Sequence, residues 1–166
     1  MGAIDELLAR HEASHATISN LTEVVHSPRP RLRVTVLTCM DARIDLFTVL
    51  GLQLGEAHIL RNAGGLATED ALRSLLLSQH KLGTQEVMVI QHTNCGLEGL
   101  QDADVIGRVE AVTGAAVPFA IGGFDDVDVS VRGSLERIRS APWLERRDQV
   151  RGFVYDVESR KLREVF

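Results

Sequence analysis

The hydrophobic positions of the chain follow two patterns that take turns along its length. Short β-branched or apolar runs predict buried strands, and longer stretches with apolar residues every third or fourth position predict helices. The predicted strands are "RLRVTVLT", "AHILR", "EVMVIQH", "RGFVYDV" and "KLREVF". The predicted helices are residues 3–18, "DLFTVLG", "TEDALRSLLLSQHKLG", a segment opened by "CGLEGLQ", and "DDVDVSVRGSLERIRS".

Strands that alternate with helices predict an α/β fold with a mostly parallel central β-sheet flanked by helices. The turn "ESRK" between the last two strands is too short for a parallel crossover, so we expect one antiparallel C-terminal edge strand. We find no linker and no repeat, and expect residues 1–166 to form a single domain.

Composition and charge narrow the classes of protein to consider. The 166 residues are 45% hydrophobic and 25% charged, as in an ordinary soluble domain. The net charge is −5 without a basic block, so we expect no nucleic-acid partner. No apolar run is long enough to span a bilayer, and "MGAIDELLAR" lacks the plan of a secretion signal. We therefore expect a cytoplasmic protein with no membrane partner.

The stretch "HEASH" matches the H-E-x-x-H pattern of zinc metalloproteases. His11 and His15 lie one helical turn apart with Glu12 between them. The metzincin continuation fails, however, because Ile18 and Leu21 replace its glycine and third histidine. Only ten residues precede His11, which leaves no upper domain for a substrate cleft. We interpret this segment as a helix whose histidines face solvent or a partner chain.

A second set of metal-ligating residue types follows the predicted strands. Cys39 follows the first strand, and His92 and Cys95 follow the third. Ligands bind at the carboxyl ends of strands in such sheets, so the three side chains converge if these strands are neighbours. Thiolate and imidazole suit zinc, and three protein ligands leave a fourth position for water or substrate. A helix opening at Cys95 would stabilise its thiolate. Two inert buried thiols are the alternative.

Two charged residues lie in the turn after Cys39. Asp41 and Arg43 are two and four positions further on. Asp41 can bind the metal directly or pair with Arg43 instead, and an ordinary surface ion pair is the third interpretation.

The motifs "CMDARID", "RNAGG" and "HTNCG" resemble, in this order, those of the β-class carbonic anhydrases. The resemblance runs from about Val34 to Gly96 and continues more weakly through "VRGSLERIR" and "RGFVYDV". The short length and the brief N-terminal helix are similar to the compact bacterial branch of that family. The resemblance implies a parallel sheet with one antiparallel edge strand, which agrees with the pattern above.

The resemblance also implies a set of roles. Cys39, His92 and Cys95 would bind Zn²⁺, and Asp41 and Arg43 would form the catalytic dyad, with Asp41 also able to move onto the zinc. The activity implied is reversible hydration of carbon dioxide to bicarbonate and a proton by a zinc-bound hydroxide. A homodimer or tetramer is implied, with residues 1–26 packed on the partner subunit.

Two alternatives to this activity stay open. The same zinc site could hydrolyse carbonyl sulfide or carbon disulfide, which relatives in this branch do. A protein of another class would use zinc only to brace the fold, with Asp41 as a fourth ligand. His58 and His80 are candidate proton shuttles, although a structural role is the commoner one for each.

Overall fold

The computed structural model describes residues 2–18 and 27–166. Its helices are α1 Ala3–Ile18, α2 Leu46–Leu50, α3 Glu69–His80, α4 Asp102–Thr113 and α5 Val127–Arg139. Its strands are β1 Val34–Cys39, β2 Ala57–Asn62, β3 Glu86–His92, β4 Val150–Tyr155 and β5 Leu162–Val165. A 3₁₀ turn occupies Ala63–Gly65. Over the described residues, no helix combines the length and apolarity needed to cross a bilayer.

The strands form one sheet in the order β2-β1-β3-β4-β5. β1 pairs in parallel with both β2 and β3, and β3 pairs in parallel with β4. β5 runs antiparallel to β4 because only a tight turn joins them. The predicted α/β architecture with an antiparallel C-terminal edge strand is confirmed.

Both faces of the sheet are covered, as the continuous apolar runs of β1 and β3 require. Leu37 and Val89 point to one face, where they pack under α3 and α5. Val36 and Ile90 point to the other face, in a cluster that also holds both cysteines. Full burial of a side chain of this size contributes roughly 1.5–3 kcal/mol. The core therefore stabilises β1 and β3 up to their carboxyl ends, where Cys39 and His92 lie.

Local signals explain where the helices begin. The side chain of Thr68 accepts a hydrogen bond from the N–H of Ala71 and caps α3, as the acidic first turn predicts. Asp126 caps α5 in the same way. α5 presents its predicted apolar face to the core, with Val131, Leu135 and Ile138 buried and Val127 partly so.

The helix expected to open at "CGLEGLQ" begins later, at Asp102, so that prediction is wrong in its start. The segment 95–100 forms turns instead, with a parallel bridge between Glu98 and Phe124. The N–H of Gly99 donates to the carbonyl of Phe124, and the N–H of Phe124 donates to that of Leu97. These long-range bonds occupy backbone groups that a helix would need.

Candidate metal centre

The pairing of β1 with β3 brings the ends of both strands to the same point. Thr38 is level with Ile90 in the ladder, so Cys39 lies one residue and His92 two residues beyond this pair, and Cys95 follows in the next turn. The ligand atoms of Cys39, His92 and Cys95 all lie within 4.8 Å of one another, and all three residues are buried. The predicted convergence of these side chains is what the structure contains.

The spacing of the two sulfurs suits a tetrahedral metal. Both cysteines are free thiols, and their Sγ atoms are 4.0 Å apart. Two sulfurs bound to one tetrahedral zinc at about 2.3 Å would be about 3.8 Å apart. The donor set is two thiols and one imidazole, which zinc prefers. The site therefore fits zinc without a change in the backbone.

The imidazole of His92 is oriented for coordination. Its Nδ1 lies 2.9 Å from the carbonyl oxygen of Thr93, and because a carbonyl only accepts, Nδ1 carries the proton. In the neutral ring, Nε2 then holds a lone pair. Nε2 is completely buried and has no hydrogen-bond partner among the described residues. A buried acceptor without a partner is costly unless it binds something, such as a metal ion.

Backbone donors prepare Cys39 to be a thiolate. Burial disfavours its charged form, but the imidazole of His92, when it is protonated, and the N–H groups of Asp41 and Gly64 outweigh that effect. Together they lower the pKa of the Cys39 thiol to about 7. The thiolate is the form that binds metal. The N–H of Gly64 reaches this position because Gly64 has a positive φ of 74°, and "RNAGG" therefore acts directly on the metal centre.

Cys95 has a different environment. Burial raises the pKa of its thiol, and the N–H of Leu97 is the main group that opposes this effect. The helix expected to start at Cys95 is absent, so helix-dipole stabilisation of this thiolate was a wrong prediction. A bound metal would supply further positive charge for a second thiolate.

Asp41 and Arg43 form a bidentate ion pair beside the three ligand atoms. Nε and Nη2 of Arg43 donate to the two oxygens of Asp41 at 2.9 and 2.7 Å. The Arg43 guanidinium holds the pKa of the Asp41 carboxyl well below its usual range. Oδ2 of Asp41 lies 3.7 Å from Nε2 of His92. The sequence left open whether Asp41 binds the metal, pairs with Arg43 at the site or forms an ordinary surface ion pair. In the structure Asp41 pairs with Arg43, and the pair lies beside the three ligand atoms.

Arg43 also joins the two loops that carry the ligands. Its Nη2 donates to the carbonyl of Asn94 at 2.8 Å, so one guanidinium binds both the turn after β1 and the turn after β3. Asn94 has a φ of 56°, a conformation that asparagine tolerates better than most residues and that suits the tight His-x-x-Cys turn. This second contact of Arg43 was not predicted from the sequence.

The last residue of the "RNAGG" turn touches the backbone of both ligand strands. Gly65 has a φ of 65°, and a Cβ there would lie 2.9 Å from the backbone N of Cys39 and 3.0 Å from the carbonyl oxygen of Ile90. No side chain fits in this gap. Gly65 therefore allows the 3₁₀ turn to pack directly under the point where β1 and β3 end.

The other histidine candidates lie elsewhere. In α1, His11 and Glu12 are exposed, and the side chain of His15 lies outside the described part. His58 contacts Ser78 and the Pro28 carbonyl at the start of β2, the end remote from the site. His80 contacts the carbonyl of Trp143. Among the described residues, the Cys39, His92 and Cys95 group is the one cluster able to hold a metal.

Comparisons with known proteins identify the family of this chain. A family model described as "Carbonic anhydrase" matches residues 34–110. "Beta-carbonic anhydrase 1" of Mycobacterium tuberculosis is 40% identical over 136 residues, which cover 82% of this chain and 83% of the relative. The chain belongs to the β-carbonic anhydrase family. The family resemblance carried by the three motifs is thereby confirmed.

Two further known proteins are similar to this β-carbonic anhydrase chain. The crystal structure of carbonic anhydrase from Streptococcus mutans superposes with a TM-score of 0.90 at 33% identity, covering 100% of this chain and 99% of that one. "Carbon disulfide hydrolase" of Acidithiobacillus thiooxidans is 30% identical over 188 residues, covering 98% of this chain and 86% of the relative.

Replacement of Gly65 by alanine tests the role of the close backbone contact. We expect Gly65→Ala to weaken zinc binding about 10-fold or more, as loss of outer-sphere support does, because the new Cβ separates the ends of β1 and β3. Competition with a chromophoric chelator measures the affinity.

The matched control is Gly83→Ala. Gly83 also has a positive φ, of 78°, but its Cβ would meet open space. This variant bears a similar backbone strain of roughly 1–2 kcal/mol and should keep the zinc affinity of the unmodified protein. Equal zinc affinity in both variants would contradict the role assigned to Gly65.

Proposed function

We propose that the protein catalyses the reversible hydration of carbon dioxide to bicarbonate and a proton, with Zn²⁺ held by Cys39, His92 and Cys95. The observation that carries the proposal is the buried cluster of these three ligand atoms with Asp41 beside it. The 40% identity to a relative named "Beta-carbonic anhydrase 1" supports the same activity. Bound zinc supplies a Lewis acid that makes a water molecule nucleophilic near neutral pH.

Asp41 is proposed as the residue that orients the attacking water. An ionised carboxylate only accepts hydrogen bonds, so Asp41 can accept one from a water molecule and fix the direction of its lone pair. Arg43 keeps this carboxylate ionised through two charge-assisted hydrogen bonds. The exposed fraction of the Asp41 side chain is 17%, which leaves a route for the released proton to reach solvent.

The apolar residues around the site favour a small uncharged substrate. Ile44, Leu46 and Leu97 belong to the same buried cluster as both cysteines. They exclude bulk water from the carbon atom under attack, and they offer no hydrogen-bonding group that a linear, non-polar molecule would leave unsatisfied. Carbon dioxide fits this description.

Carbon disulfide and carbonyl sulfide are also small, linear and uncharged, so they suit the same apolar surroundings. The relative named "Carbon disulfide hydrolase" supports hydrolysis of these molecules as a second candidate activity at the same site. The higher identity to the relative named as a carbonic anhydrase favours carbon dioxide. A purely structural zinc has less support, because Arg43 binds both oxygens of Asp41, the residue that would have to be its fourth protein ligand.

Replacement of Asp41 tests the proposed mechanism. We expect Asp41→Asn to retain zinc and to lower kcat for carbon dioxide hydration by about 100-fold or more, in the range lost when a preorganised hydrogen-bonding group is removed from an active site. Stopped-flow measurement with a pH indicator gives the rate. Asp70→Asn breaks an exposed Asp–Arg pair on α3 and should leave the rate unchanged. Undiminished turnover in Asp41→Asn would refute the role given to Asp41.

The choice of substrate is tested on the zinc-loaded protein. We expect kcat/KM for carbon dioxide to exceed that for carbon disulfide and for carbonyl sulfide, and Cys39→Ser to abolish every activity by removing a ligand. Hydrogen sulfide release measures the two sulfur substrates. A preference for carbon disulfide would replace the first proposal with the second, and no turnover in a zinc-bound protein would refute both.

We also propose a cytoplasmic, single-domain protein over residues 1–166 that forms a homodimer or a tetramer. The metal-binding cysteines must stay reduced, which suits the cytoplasm. The described side chains of α1 contribute to neither hydrophobic cluster, and Ile4, Leu7 and Leu8 on its apolar face are 74%, 61% and 59% exposed. Burial of this face on a second copy would remove it from water. Residues 19–26 of the proposed N-terminal segment lie outside the described residues.

A charge on α1 tests this assembly. We expect Leu7→Asp to lower the molar mass measured by light scattering from that of the oligomer towards 18.2 kDa, the mass of one chain. Ala13→Asp adds the same charge to the opposite face of the helix and should leave the mass unchanged. An unmodified protein that is already monomeric would contradict the proposal.

A further inference from the structure

After Cys95 the chain leaves the metal centre for α4 and returns at Phe124. The excursion is closed at its base by backbone hydrogen bonds. The N–H of Phe124 donates to the carbonyl of Leu97 at 3.0 Å, and the N–H of Gly99 donates to the carbonyl of Phe124 at 2.7 Å. The returning chain therefore holds the turn that directly follows Cys95.

The carboxylate of Asp102 fixes the three residues before Phe124. Its oxygens accept hydrogen bonds from the N–H groups of Ile121 at 2.8 Å, Gly122 at 3.1 Å and Gly123 at 2.9 Å. Hydrogen bonds to an ionised acceptor are among the stronger ones in proteins. One side chain at the start of α4 thus binds three successive amides of the returning segment.

The backbone packing at this closure leaves no room for the segment to shift. A Cβ at Gly123 would overlap the carbonyl oxygen of Leu100. Ile121 and Phe124 pack against the hydrophobic cluster that contains Cys39 and Cys95. The segment held by Asp102 is therefore also part of the apolar surroundings of the metal centre.

Leu97 connects this closure to both cysteines. It lies two residues after Cys95 and belongs to the same buried cluster as both cysteines. Its side chain lies directly against Gly64, where a Cβ would come within 2.7 Å of the Leu97 Cδ1 atom. The next residue, Gly65, packs against the backbone of Cys39. A shift of Leu97 would therefore disturb the packing around both sulfurs.

We infer that Asp102 is a positioning residue for the metal centre, acting through the 121–124 segment and Leu97 on Cys95 and Cys39. The inference rests on the proposed zinc site but not on the identity of the substrate. Asp102 touches neither ligand nor substrate and acts only by fixing the backbone that presents the sulfurs. No feature of the local sequence around Cys39 or Cys95 indicates this connection.

The experiment compares Asp102→Ala with Asp104→Ala on the full chain. Both residues are acidic and lie in the first turn of α4, but among the described residues the hydrogen bonds to the returning segment go to the side chain of Asp102 and not to that of Asp104. We expect Asp102→Ala to weaken zinc binding about 10-fold, the lower end of outer-sphere effects, and Asp104→Ala to leave it unchanged. Chelator competition measures the affinity.

A spectroscopic readout separates positioning from general stability. With Co²⁺ in place of zinc, Asp102→Ala should change the thiolate-to-cobalt absorption bands, which report sulfur geometry, whereas a loss of stability alone would lower Tm and leave the bands unchanged. Asp102→Asn retains one acceptor oxygen and should give an intermediate affinity, which covers the case in which Asp102→Ala does not fold.

Unchanged zinc affinity and cobalt bands in the folded Asp102 variants would overturn the inference. The same holds if Asp104→Ala gave equal losses. These measurements need no turnover, so an unmodified protein that binds zinc but does not hydrate carbon dioxide would refute the proposed activity and leave this test valid.

Discussion

The parallel hydrogen-bonded ladder between β1 and β3 is the contact on which the metal centre depends. Its register places Thr38 level with Ile90, so that Cys39, one residue further on, and His92, two residues further on, leave the sheet at neighbouring points. Successive side chains of a strand alternate between faces, so a slip of one residue would move every apolar side chain of that strand to the opposite face. The buried apolar side chains on both faces oppose such a slip, because each would lose its place in the core.

The site also gathers acidic groups into a poorly hydrated volume, and their charge has to be matched. The matching groups include the main-chain N–H groups of Asp41, Gly64 and Leu97, and the side chains of His92 and Arg43 contribute the rest. Main-chain donors are already fixed by the fold, so they lose little freedom when they meet a thiolate. Arg43 adds a full charge and at the same time ties the two loops together. Arg43 therefore both balances negative charge and fixes the relative position of the two loops.

Much of this arrangement could be predicted from local sequence, and some of it could not. The strands could be predicted because short β-branched apolar runs favour buried strands. Cys39, His92 and Cys95 were placed together because parallel strands end at a common edge. Glycine tolerates positive φ better than any other residue, and the paired glycines of "RNAGG", Gly64 and Gly65, both have it. The roles of Asp41 and Arg43 in turnover and the assembly of the chain stay predictions.

Contacts between distant segments account for what was missed. The bond from Arg43 to Asn94 joins residues 51 positions apart, and nothing in either motif indicates it. The delayed start of α4 has the same origin, since the pairing of residues 97–99 with Phe124 outweighs a local helical tendency.

The closure at Asp102 and Phe124 has a consequence for how this family can diverge. The excursion between them is held at its base, while α4 carries no buried side chain along its length. Residues added near Thr113 would cost mainly the entropy of a longer loop, about 0.6 kcal/mol for each doubling. Evolution can therefore lengthen, shorten or recompose this part of the surface, and explore new molecular contacts there, without moving the sulfur atoms.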